Sequence, residues 1–70
     1  MKQKLKAKNN NPRPNECQLI EETLKLARPW GLEAEVMWTA MQNYQKFHKS
    51  APETYNLEWA LQCGIDEWDL

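Results

Sequence analysis

Catalysis by side chains needs a nucleophile beside a base, and this chain offers few of either: one histidine, His48, and two thiols, Cys17 and Cys63. His48 falls at helical spacing among apolar residues, where a lone imidazole reads as a packed, hydrogen-bonded side chain rather than a general base. The helical periods described below set Cys17 toward the core and Cys63 outward, so the thiols are expected to meet neither as a disulfide nor as a nucleophile pair. Zinc requires several Cys or His ligands at short spacing, and two distant cysteines with a single histidine supply no such pattern. Asp66, Glu67 and Asp69 resemble no calcium loop, and Gly31 and Gly64 stand alone rather than in a phosphate-cradling run. The chain is therefore expected not to be an enzyme, and to use no metal, no cofactor and no small-molecule substrate.

Composition narrows the class further. A chain of 70 residues holds one domain at most, and a domain of that size buries only about 60% of the surface its unfolded chain exposes. Four tryptophans are the outlier; each buries on the order of 200 Å², enough for the group to supply much of a small core. The net charge of −1 conceals an asymmetry. Residues 1–14 carry Lys2, Lys4, Lys6, Lys8 and Arg13 with no acid, whereas residues 15–70 hold all ten acids against Lys25, Arg28, Lys46 and Lys49. The basic stretch has little to offer a core and is expected to be a disordered arm on an acidic domain, there to touch phosphates or to act as a solubilising tail. No apolar leader is visible and no stretch approaches the roughly 18 apolar residues that a bilayer span requires. With two cysteines only, the expected setting is the reducing cytoplasm.

The elements that would position these residues are helices, over 15–28, 32–49 and 56–68, forming a small all-α three-helix bundle. Asn15 reads as the first N-cap with Gln18 as its capping-box partner. Cys17, Ile20, Leu24 and Ala27, with Leu19 and Leu26 alongside, form the first apolar face, which Pro29 ends. Gly31 can take the positive φ of the corner that follows, and Trp30 is expected to plug the end of the core there. The middle helix is the expected organiser: Met37, Ala40, Met41, Tyr44, Phe47 and His48 make a broad stripe with Val36 and Trp38 on its flanks, so that a neighbour can pack on either side. After a loop containing Pro52, the third helix starts at Asn56 in preference to a Ser50–Glu53 capping box, because Leu57, Leu61, Ile65 and Trp68 then align with Ala60 and Gly64 beside them. Centring that stripe on Leu61 places Trp59 and Cys63 roughly 160° away, together on the outer face.

Three functions are compatible with this arrangement. The leading one is a protein-interaction module, self-associating or binding another protein through Trp59, Cys63 and Trp38, since tryptophan is enriched among interface anchors. Within a monomer, the loop Ser50–Asn56 or the arm could instead fold over Trp59. A nucleic-acid-associated regulator would use the arm residues Lys2, Lys4, Lys6, Lys8 and Arg13 on phosphates. The helices disfavour it, because a recognition helix would set Glu33 and Glu35, or Glu58, Asp66 and Glu67, against a polyanion. Nor does the arm carry the interleaved aromatics on which single strands stack. The third possibility is a small acidic inhibitor or accessory subunit docking on a basic groove of a larger protein.

Overall fold

A computed structural model describes residues 15–70; the basic arm expected over 1–14 lies outside the described residues. The chain forms α1 (Asn15–Ala27), a 3-10 turn (Arg28–Trp30), α2 (Glu33–Phe47) and α3 (Leu57–Glu67), with no strand among the described residues. The all-α three-helix architecture is thus the one read from the periodicity, with termini displaced by one or two residues. Glu16, Glu33 with Glu35, and Glu58 sit in the three first turns, and Lys25 and Lys46 in the last turns of α1 and α2, each complementing the helix dipole.

Both ends that the structure closes with a left-handed residue do so by the same device. At the first corner Gly31 (φ 67°) donates its N–H to the Arg28 carbonyl at 3.0 Å, and Leu32 donates to Ala27 at 3.2 Å. At the end of α3, Asp69 (φ 58°) donates to Asp66 at 3.2 Å and Leu70 to Ile65 at 3.0 Å. These are paired six-to-one and five-to-two bonds of the Schellman type, and in each the following leucine packs on the core. Leu32 therefore closes the corner, and Trp30, expected to be the plug, is 71% exposed instead. Glycine meets the left-handed requirement freely at position 31, whereas Asp69 meets it with a Cβ and with a negative charge at the negative end of the dipole. Asp69→Gly is expected to stabilise the fold by about 1 kcal/mol, read as a rise in the midpoint of thermal unfolding.

The third helix starts as anticipated. Asn56 Oδ1 accepts from the Trp59 N–H at 2.9 Å, and its Nδ2 donates to the Glu53 carbonyl at 3.2 Å, which ties the cap to the loop. Gln18, in contrast, makes no capping box: it is buried, and its Oε1 has no hydrogen-bond partner among the described residues.

Leu19, Ala27, Val36, Ala40, Ala60, Leu61, Ile65 and Leu70 form the core. Helix α3, rather than α2, is its hub, burying Ala60, Leu61, Gly64 and Ile65 against Val36 and Ala40 from α2. Two faces are rotated from those expected. In α1 the buried row is Leu19, Thr23 and Ala27, and Cys17 is exposed rather than core-facing. Thr23 enters the core because its hydroxyl donates to the Leu19 carbonyl at 2.8 Å, satisfying the one group that would object to burial. In α2, Val36 lies at the centre of the buried face rather than on its flank, and Met41 is 43% exposed. Close approach is the cause: a Cβ added to Gly64 would lie 2.5 Å from the Val36 carbonyl oxygen. Backbones that near each other admit only small or β-branched side chains between them, and Val36, Ala40, Ala60 and Gly64 supply these.

Candidate functional site

Trp59, expected on the outer face of α3, is half-buried and packs against the core from the side. Its ring meets Tyr55 at 4.7 Å and Phe47 at 5.8 Å between centroids, both edge-on, and Phe47 and Tyr55 lie 5.6 Å apart. Edge-to-face geometry is favourable for rings of this kind. The loop makes the contact possible: Ala51 accepts from the N–H groups of Thr54 and Tyr55, folding the segment back so that Tyr55 reaches α3. The loop thus covers part of the Trp59 ring within one chain, and the rest of the ring stays exposed.

His48 holds that loop in place. Its Nδ1 lies 2.9 Å from the Tyr55 carbonyl, which can only accept, so Nδ1 carries the hydrogen. In the neutral ring Nε2 then accepts from the Tyr44 hydroxyl at 3.4 Å, while the ring stacks on Tyr44 at 4.3 Å and 23°. Both nitrogens are engaged in joining the end of α2 to the loop, which suits a structural role. No thiol is among the groups found on it.

Cys63 is half-buried on α3, and its thiol is pushed above the ordinary range by burial and, secondarily, by the charge of Asp66 one turn on. Thiolate is the reactive form, so at pH 8 the exposed Cys17 is expected to alkylate well before Cys63. Asp66→Asn removes the secondary cause and is expected to accelerate Cys63 modification a few-fold, read by mass spectrometry against time.

A further exposed apolar surface lies on α2. Trp38 is 67% exposed, Met41 is exposed, Ala34 is exposed and Met37 half-buried. At 100° per residue these four share an arc of roughly 100°, opposite the arc of Val36 and Ala40. Trp68, expected on the buried stripe of α3, is 39% exposed; its Nε1–H donates to Thr39 Oγ1 at 2.9 Å, tying the end of α3 to the middle of α2. Of the three residues expected as partner contacts, Trp59 belongs to the aromatic corner, Cys63 is half-buried on α3, and Trp38 is exposed on α2. Trp30 and Met41 join it as exposed apolar groups, although their place in the chain predicts an inward position for both. A signal for this was present, since α2 carries apolar residues over more than half of its circumference and one face of a three-helix domain must stay outside.

Among the described residues no group of three or more His, Cys, Asp or Glu is arranged to hold a metal ion, and no helix is long and apolar enough to cross a membrane. A hollow of about 290 Å³ lies beside His48, lined by Tyr44, Gln45, His48 and Lys49. Neither thiol lines it. The arm residues Lys2, Lys4, Lys6, Lys8 and Arg13 lie outside the described residues. Comparison with protein-family models, with curated proteins and with solved structures returns no match.

Proposed function

We propose that this chain is a non-enzymatic protein-interaction module whose contact surface is the outward face of α2, centred on Trp38 and Met41. The observation that supports it is a tryptophan 67% exposed in the middle of a well-formed helix, with Met41 one turn away also exposed. Single surface hydrophobics are ordinary, but a grouped apolar arc of Ala34, Met37, Trp38 and Met41 is the composition of a contact patch. Tryptophan and methionine are both enriched at such patches. Trp59 and Cys63 contribute less in this reading, because the loop already covers one and burial restricts the other. The two free thiols accord with a reducing compartment such as the cytoplasm.

The test is a photo-crosslinking residue, benzoylphenylalanine, placed at position 38 or, as a control, at the exposed Glu58, in the full chain inside the cells that make it. A covalent polypeptide adduct formed at 38 in clear excess over 58 is the expected result. Equal or absent adducts at the two positions would sink the assignment.

A further inference from the structure

Resting on that reading, we infer that the partner of the α2 face is a second copy of the same face, packed antiparallel about a two-fold axis near Met41. The argument lies in how charge is distributed along the helix. Glu35 stands in the first turn, Lys46 in the last turn and Lys49 just beyond. At 100° per residue all three fall within about 60° of one another, on the same flank of the apolar arc. At 1.5 Å per residue Glu35 lies about 9 Å to one side of Met41, and Lys46 and Lys49 about 7.5 and 12 Å to the other.

A two-fold axis perpendicular to the plane of two antiparallel helices leaves each flank on its own side while reversing direction. Glu35 of each copy is thereby set against Lys46 and Lys49 of the other, twice over, with Met41 near the axis and Met37 facing the partner's Tyr44. A parallel two-fold pair would carry the two charged flanks to opposite sides of the contact, where they do not meet. These groups are available for it: among the described residues Glu35 and Lys49 have no ion-pair partner, and Lys46 makes only a 5.6 Å contact with the Phe47 ring. Glu33 is excluded from the scheme, since Arg28 Nε already holds it at 3.3 Å. An isologous contact of this kind is self-complementary by construction.

The size of the surface sets the strength. A face of 15 residues is about 22 Å long, so the pair buries less than the roughly 1,200 Å² of a stable complex and belongs with transient associations. Sedimentation equilibrium of the full chain at low salt is expected to show mass rising from 8.3 kDa toward twice that value between about 10 µM and 1 mM. Glu35→Lys alone, and Lys46→Glu with Lys49→Glu, are each expected to weaken association about tenfold with unchanged helix content. An equimolar mixture of those two variants restores it, because each copy then supplies the charge the other lacks. Trp38→Ser abolishes it.

A parent chain that stays at its monomer mass at 1 mM overturns the inference, whether another protein or the chain's own residues 1–14 occupy the face. So does association indifferent to the charge reversals, or a mixture that fails to recover it. The crosslinking experiment separates the two levels: an adduct from position 38 to a different protein, with a monomeric parent, leaves the interaction module standing and removes only the second copy.

Discussion

Truncating Leu61 to alanine is expected to remove about 3 kcal/mol of folding stability, within the roughly 2–5 kcal/mol range of fully buried leucines. Leu61 is, with Ile65, the largest side chain that the structure buries completely, and it lies in α3, which packs on both other helices. Its removal leaves a void that neighbours fill badly, because Ala60 and Gly64 beside it carry a single side-chain carbon between them. A domain of this size has on the order of 3–8 kcal/mol in total. The variant should therefore keep only about 0–5 kcal/mol, with a urea midpoint lowered by about 2 M or more, followed by far-ultraviolet circular dichroism. A loss below about 1 kcal/mol would mean that the core is not centred on α3.

Gly64→Ala tests the approach of α2 and α3 directly, and two effects of opposite sign compete. Alanine is the better helix former by about 1 kcal/mol, so the exchange would stabilise an open helix. Here the new Cβ would lie 2.5 Å from the Val36 carbonyl oxygen and 3.1 Å from its Cγ1. The methyl group of Val36 can rotate or be removed, but the carbonyl belongs to the backbone of α2 and moves only with the helix. Overpacking of a tight core costs typically 1–3 kcal/mol, occasionally more, and a backbone clash places this site in the upper part of that range. The expected net effect is a loss of about 1–2 kcal/mol for alanine, and a larger one for Gly64→Val. Adding Val36→Ala to Gly64→Ala should not restore stability, since the carbonyl stays where it was. A more stable Gly64→Ala would show that the two helices sit further apart.

How far each feature was legible follows from the range of the interaction that creates it. The Asn56 cap, the left-handed Gly31 and the acidic first turns are bonds or charges acting within a few residues, and a reader of the chain finds them without knowing what lies across the bundle. Periodicity points Trp59 outward because its angle on α3 lies far from Leu61. That angle is right, but it says nothing of a loop held back over the helix by His48 and Ala51. Cys17 and Thr23 exchanged roles for a similar reason. Hydropathy ranks the thiol as the buried group, while the hydroxyl, once bonded to Leu19, enters the core without penalty.

Periodicity and terminal chemistry alone determined that the described chain would be three helices, joined by a tight corner and a longer loop. They could not choose which arc of α2 would be buried, because Val36 with Ala40 and Met37 with Met41 are both apolar and both at helical spacing. Tertiary structure made that choice by size rather than by hydrophobicity: Gly64 brings α3 so near that only the smaller arc fits between the backbones. The bulky arc, with Trp38 at one edge and Met41 near its middle, was left facing outward, and the proposed contact surface exists for that reason.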